Sequence, residues 1–344
     1  MEVLELSKSN DAPWHDFVLH APQATFFHLP GWQTILEQTF GLKTHFLYAQ
    51  QGGQVQGVLP LISIKSKLGG NYLTSVPGGL CAENPDTAVA LIEQAKTLTK
   101  ATKAKYLILR DSQDNWEDMG LIATAEHCSA PVTLHSDQED TWMALKSETR
   151  RRVKKASKNG LEFKAGLEYL DDYYPIYLEA MRGKGTPTYG LRFFRNVAAQ
   201  FPNRFFLTII CHNDQVIGGG FVGRMNHTLY CLWSGMLRRF YKAYPNDLLY
   251  WETIKISYKQ HLDCVDLGRS QRDSGSYHFK RKWGVKSRTL YQLYYLNGIS
   301  QPPAVGQSMD SNPKYRLFVN TWRHLPLPVT EMIGPHLRKR MPFG

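Results

Sequence analysis

The sequence predicts an α/β fold of the mixed α+β kind: two tandem lobes, each a mostly antiparallel sheet flanked by helices, followed by a C-terminal helical appendage. Three observations predict it. The chain repeats itself once at an offset of about 160 residues, far above solenoid periods. Each copy runs strand, strand, strand, helix, strand. And 344 residues exceed one typical core, so two domains are expected.

The first copy opens with His45–Gly57, HFLYAQQGGQVQG, an apolar strand, a polar turn at Gly52-Gly53 and a second strand entered through Gln-Val-x-Gly. Phe206–Gly218, FLTIICHNDQVIG, repeats that pattern with Asn213-Asp214 at the turn. Gly, Asn and Asp suit two-residue hairpin turns because they tolerate positive φ. A third strand follows near 72–76 and 228–235. A helix then starts behind Asp86 or Asp247, each expected as an N-cap because a carboxylate accepts from first-turn N–H groups. The last matched strands, Lys105–Ser112 and Asp263–Ser270, both finish on an Arg and a Ser.

The lobes are expected at 1–140 and 141–298, divided near the polar run His135–Asp140. Residues 299–344 form a linker, Gly298–Ser308, and two helices near 312–322 and 329–339, interrupted by Leu325-Pro-Leu-Pro328. The last helix is basic and mildly amphipathic. It is expected to pack on the second lobe through Met332, Ile333 and Leu337, the alternative being an anionic membrane surface.

Hydrophobic residues at 42% and charged residues at 21% place the chain among folded globular proteins. The net charge of +11 favours anionic partners. The first ten residues lack a basic flank and an apolar run, and no segment approaches the roughly 18 apolar residues of a membrane span, so a cytoplasmic protein is expected. Five cysteines, widely spaced and without a CxxC pair, argue against a zinc site or a disulfide framework and for reduced, mostly buried thiols. No His/Cys/Asp/Glu set has metal-ligand spacing, and no metal is expected.

The densest stretch is Asp266–Gly284, DLGRSQRDSGSYHFKRKWG, which runs from a strand end through a polar turn into Phe279-Lys280. Strand ends of this kind are where α/β proteins bind ligands. With the repeat, the chain resembles the FemAB-like branch of the Gcn5-related N-acetyltransferase (GNAT) superfamily, which includes the aminoacyl transferases of peptidoglycan cross-bridges and relatives in exopolysaccharide systems. The resemblance is carried by Thr25–Trp32 (TFFHLPGW), Gly57–Leu61, Thr149–Ala156 with Asn159-Gly160, Gly185-Thr-Pro187, Gly268-Arg-Ser270, Ser274-Gly275, Phe279-Lys280 and Trp283-Gly284.

The resemblance implies acyl transfer to an amine through a tetrahedral oxyanion, from acyl-CoA or aminoacyl-tRNA. The acceptor would be an anionic cell-envelope precursor held between the lobes, with peripheral contact to the inner leaflet possible and the oligomeric state undetermined. It makes Phe279 and Lys280 the catalytic pair, the ammonium meeting an oxyanion or a donor phosphate. The plain alternative is a solvated face, Lys280-Arg-Lys282. Asp266 or Tyr189 would serve as base through water, unless a carboxylate or phosphate of the acceptor does. Arg269 and Ser270 suit a phosphate or carboxylate, or Asp266 and Arg269 form an ion pair that orders the loop.

Arg182, Lys184 and Tyr189, in an expected loop, fall near the acceptor channel by the resemblance. Arg151 and Lys155, in a basic helix, suit the pyrophosphate of a lipid- or nucleotide-linked precursor, tRNA phosphates, an anionic leaflet or simply water. The cations wrap much of that helix, leaving no face uniquely basic. His28 and Trp32, four apart, would lie near the cleft, though a lone histidine is more often a core or capping residue. One departure concerns the donor. The Gly-rich turn that cradles pyrophosphate before the helix of a GNAT lobe is replaced by Arg238–Asp247, which has no glycine, so Arg238, Arg239 and Lys242 would hold phosphate by charge alone. The long charged helical hairpin of some bridge-forming transferases is also absent. The competing functions are a non-catalytic binding or assembly factor for an anionic envelope precursor and an acyl-CoA-dependent acetyltransferase of a small amine.

Overall fold

The computed structural model describes residues 1–7, 11–66, 70–112, 116–303 and 313–341. The elements of the chain's first stretch are β1 (Glu2–Glu5), α1 (Ala12–His20), α2 (Gly31–Phe40), β2 (Lys43–Gln51), β3 (Gln54–Ser66), β4 (Gly70–Ser75), β5 (Cys81–Ala82), α3 (Pro85–Ala101), β6 (Tyr106–Ser112) and β7 (Ile122–Ser129). There follow β8 (Pro131–Thr133), α4 (Gln138–Ala144), α5 (Ser147–Lys158), β9 (Leu161–Ala165), α6 (Leu170–Lys184), α7 (Leu191–Gln200), β10 (Phe205–His212), β11 (Gln215–Met225) and β12 (Thr228–Met236). The chain ends with α8 (Pro245–Lys259), β13 (Cys264–Asp266), β14 (Ser270–Gln271), α9 (Gly275–Arg281), β15 (Arg288–Leu296), α10 (Pro313–His324) and α11 (Leu327–Arg338). Two compact units result, one of Met1–His127, Thr289–Asn312 and His336–Gly344, the other of Cys128–Arg288 and Pro313–Pro335.

In the first unit a mixed sheet runs β1-β2-β3-β4-β6-β15-β7. The β2–β3 hairpin turns at Gly52 (φ 58°) and Gly53 (φ 80°), the positive-φ pair that matches strand twist. Leu47, Leu59, Leu73, Leu107 and Leu109 point from the strands to Leu91, Ile92 and Ala95 of α3. A Cβ at Gly57 would meet Thr87 Cγ2 at 2.6 Å, so glycine lets β3 and α3 approach.

Strand exchange departs from the expected lobe boundaries. β15, inside the expected 141–298 lobe, pairs antiparallel with β6 of the first unit, Leu293 opposite Leu109. Conversely β8, expected in 1–140, pairs with β13, Val132 opposite Val265. Strand partners are settled by burial across the sheet, and Leu293 is fully enclosed in the first unit's core.

The second unit's sheet runs β8-β13-β12-β11-β10-β9. Its β10–β11 turn again has two positive φ values, 50° at Asn213 and 60° at Asp214. Ile210, Ile217, Val265, Val153, Leu248 and Ile254 build the core between this sheet, α5 and α8. On α6, the Tyr173 hydroxyl accepts from Gly235 N–H (2.9 Å) and donates to Gly219 O (3.0 Å). α10 packs on α6, where a Cβ at Gly185 would meet Val319 Cγ1 at 2.3 Å.

The expected N-caps shift upstream. Pro85 and Pro245 occupy the first helical positions, so Asn84 and Tyr244 are the caps, and Asp86 and Asp247 lie within the first turns. Asn84 Oδ1 accepts from Thr87 N–H at 2.9 Å. The terminal helices form where expected, yet Met332 is 67% exposed rather than packed, and Val319, Trp322, Thr330 and Gly334 are buried. Residues 304–308 of the expected linker with 309–312 after it, and residues 113–115 after the first Arg and Ser, lie outside the described residues. All five cysteines are free. Among the described residues no helix is long and apolar enough to cross a membrane.

Candidate active site

β12 and β13 are parallel neighbours over three residue pairs, ending at Tyr230 opposite Asp266. Beyond that pair β13 stops while β12 continues to Met236. Asp266 Oδ1 accepts from Gly268 N–H at 2.7 Å, an Asx-type turn that reverses the chain. Gly268 has φ +84°, and a Cβ there would lie 2.9 Å from Cys231 O, so both the conformation and the space demand glycine. Ser274 then caps α9, accepting from Tyr277 N–H (3.2 Å) and donating to Gln271 O (2.7 Å). This short helix returns Lys280 beneath the turn, where Nζ donates to Gly268 O (2.9 Å) and Arg269 O (3.1 Å).

Lys280 is only 7% exposed, and burial lowers its ammonium to about 8. Asp266 opposes that shift through space, while the charge of Lys184 adds to it. Burial raises Asp266 in turn, against the Gly268 N–H bond and the charge of Lys280. Cys231, beside them, is pushed up to about 12 by burial and by Asp266, and Cys264 to about 11. Both thiols are therefore neutral at pH 7, and the site holds one buried cation, one half-buried carboxyl and no thiolate nucleophile. Burial also raises the Tyr230 and Tyr250 hydroxyls.

The other expected site residues take varied places. Phe279 packs on the Tyr250 ring, centroids 5.7 Å apart, and so positions α9. Arg269 is exposed, with its carbonyl serving Lys280, and the Ser270 hydroxyl, buried, meets that of Ser276 at 3.1 Å. Arg182 and Lys184 lie in the last turn of α6, not in a loop, because the helix runs on to its left-handed C-cap at Gly185 (φ 76°). The Arg182 guanidinium donates to Leu325 O at 3.1 Å, tying α6 to the α10–α11 turn. Tyr189 is buried against Phe193 (4.3 Å, stacked) and Trp233 (5.9 Å, edge-on), a packing position rather than a solvent-facing one.

Arg151 and Lys155 are exposed on α5, the Lys155 ammonium standing 5.5 Å from the Tyr244 ring centre. Arg238, Arg239 and Lys242 are exposed on the short 3-10 turn Arg238–Ala243, and Arg239 reaches Glu179 at 3.6 Å. Where a phosphate cradle would precede α8, the structure has Tyr244 at φ 64° and the buried Asp247, whose carboxyl burial raises to about 6 against Arg152 and Lys282. In the first unit His28 is fully enclosed: Nδ1 accepts from Thr25 N–H (3.0 Å) and Nε2 lies 3.3 Å from Gly79 O. Trp32 is fully buried too, donating to Phe26 O at 2.8 Å. Both are capping and core residues of that unit.

The fold thus gathers Asp266, Gly268, Lys280 and, at longer range, Lys184. Sequence reasoning missed Cys231, Tyr230 and Tyr250 and gave Asp247 a capping role alone; the parallel pairing of β12 with β13 would have pointed to Tyr230 and Cys231, and the packing of α8 to Tyr250 and Asp247.

Residues 144–281 match the family model described as acetyltransferase (GNAT) domain. No curated protein matches the chain in sequence. Among solved structures, FemX is similar with a TM-score of 0.71 and 14% identity, over 87% of this chain and 98% of that one. A tandem GNAT protein from the clavulanic acid biosynthesis pathway has a TM-score of 0.57 and 13% identity, over 87% of this chain and 99% of that one. L-PGS from Bacillus licheniformis has a TM-score of 0.55 and 11% identity, over 86% and 98%. At such identities the likeness is one of fold.

Proposed function

Starting from a chain that carries a GNAT domain over residues 144–281 in a fold shared with FemX, we propose that it forms an amide bond, transferring an acyl or aminoacyl group to an amine of an anionic cell-envelope precursor. The observation that carries this reading is the Lys280 ammonium, held at a strand end with two of its three N–H groups on Gly268 O and Arg269 O. The third N–H meets the donor's carbonyl oxygen as the amine attacks and negative charge develops there. A fixed cation in a dry site stabilises that charge without reorganising. Asp266 keeps Lys280 charged despite its burial and, with its own proton affinity raised, takes the amine's proton through water and passes it to the sulfur or ribose oxygen that leaves as the donor's thioester or ester bond breaks.

The donor is acyl-CoA or an aminoacyl-tRNA. Asp247 in the first turn of α8 disfavours a pyrophosphate seated on that helix, whereas exposed Arg238 and Lys242 suit phosphate held by charge. The test offers the purified chain acyl-CoAs and charged tRNAs with envelope-precursor amines or small amines, and follows amide product by mass spectrometry. Turnover with one donor that falls on the order of 10²–10³-fold in Lys280→Ala supports the reading. Full turnover by that variant removes Lys280 from the chemistry. A binding-only role is favoured by the same two main-chain bonds, since they make Lys280 a loop anchor; precursors that raise Tm with no amide formed from any donor would establish it.

A further inference from the structure

We propose that the outward face of α4 and α5 docks on an anionic lipid membrane, a role separate from the transfer chemistry. Thr149, Val153 and Ala156 bury one side of α5 and so fix which side faces out. Arg150, Arg151, Lys154, Lys155 and Lys158 line a shallow groove of about 680 Å³ on that outer side. Arg150, Lys154 and Lys158 stand at i, i+4 and i+8 with Arg151 and Lys155 one residue on beside them, so the five share one side of the helix, where the sequence had suggested no uniquely basic face. Glu148 is spent on Arg152, the one cation of the run outside the groove. Among the described residues, none of the five groove cations forms an ion pair with a carboxylate, and the single acid lining the groove is Glu139. Five like charges held together without internal neutralisation repel one another and concentrate anions from outside.

The apolar content of the groove decides which anion. Met143 is 59% exposed, with its sulfur and carbonyl contacted by the Arg150 guanidinium at 2.9 and 3.5 Å. A flexible apolar side chain ringed by cations suits the boundary of head groups and acyl chains. A single nucleic-acid strand would instead want a bare aromatic face to stack on. The groove's aromatic, Trp142, has its ring against Trp251 (centroids 4.5 Å) and under the Lys154 ammonium (5.8 Å). An anionic bilayer offers phosphate to the stripe and an interface to Met143 together.

The full-length chain is to be sedimented with vesicles of phosphatidylcholine alone and with about one-third phosphatidylglycerol, at low salt and near 1 M salt, where screening reaches about 3 Å. Expected are binding to the anionic vesicles alone, loss at high salt, and a weakening of about fivefold for each groove cation neutralised. Arg150→Gln/Lys158→Gln should therefore weaken binding by about 25-fold, Arg150→Glu/Lys154→Glu/Lys158→Glu should abolish it, and Met143→Ser should weaken it several-fold, with unchanged Tm showing intact folding. Equal binding to neutral vesicles, or full binding by the folded double variant, overturns the proposal. Inorganic phosphate or pyrophosphate that binds the wild type while vesicles do not would reassign the groove to a soluble phosphate. Salt-sensitive binding to generic RNA, lost in the same variants while vesicle binding is absent, would reassign it to nucleic acid.

Discussion

The ammonium of Lys280 lies 2.9 Å from the carbonyl oxygen of Gly268, a residue held at φ +84° with its N–H on Asp266. Cation, turn and carboxylate thus form one unit. Gly268→Ala would force a side chain into the left-handed region and place Cβ 2.9 Å from Cys231 O. The expected outcome is a loss of about 1–3 kcal/mol, read from denaturant midpoints, together with reduced turnover as the turn shifts off Lys280. A variant of wild-type stability would show that the turn tolerates Cβ.

The pH dependence of turnover should carry the signature of Lys280. Its ammonium is charged below about 8 and neutral above. A rate that needs the cation is therefore present at pH 7 and lost as pH rises through 8. Lys280→Arg keeps the charge at every working pH, so the alkaline limb should move upward even if the absolute rate falls. A limb that stays near 8 in this variant would assign it to another group.

Stability responds to the same group with the opposite sense. Because the folded-state value of Lys280 is depressed from 10.5 to about 8, folding is favoured above 10.5 and loses that contribution as pH falls through 8. The difference is roughly 3 kcal/mol. Unfolding curves for wild type and Lys280→Met should diverge in slope between pH 8 and 10.5; parallel curves would mean that Lys280 is better solvated than its burial implies.

Local chemistry made much of the fold legible. The turns at Gly52-Gly53 and Asn213-Asp214 declared both hairpins, since few other residues accept two successive positive φ values. Pairing across hundreds of residues left no local trace. An apolar run such as Thr289–Leu296 fits either sheet, and the Gln292 amide on Asp111 Oδ1 (2.6 Å) with Leu293 beside Leu109 places it in the first. The site divides the same way. Asp266 and Lys280 stand in one short motif, whereas Cys231 and Tyr250 reach them through the β12–β13 register and the packing of α8, neither of which has a periodicity to read.

Tyr173 shows what an unremarked tyrosine supports. Its hydroxyl accepts from Gly235 N–H and donates to Gly219 O, joining α6 to β12 and β11. Tyr173→Phe leaves a buried N–H without that acceptor. A loss of about 1–3 kcal/mol is expected, with faster amide exchange at Gly235. Wild-type exchange at Gly235 would show that water replaces the hydroxyl.

His28 gives the first unit an acid-labile corner. Burial lowers its imidazole from 6.5 to about 4, although the Gly79 carbonyl favours the charged form. The neutral ring is also what the geometry requires. Nδ1 must accept from Thr25 N–H, which leaves Nε2–H to donate to Gly79 O. A depressed histidine contributes stability that is present above 6.5 and lost as pH falls through 4, roughly 3 kcal/mol in all. His28→Gln keeps polar atoms in the corner and has no proton to take up. Its denaturant midpoint should sit below wild type at pH 7, with the gap closing toward pH 4 as the wild-type histidine is forced to charge. If the two proteins lose stability in parallel over that range, the acid sensitivity belongs to other groups and the His28 ring is open to protonation without cost.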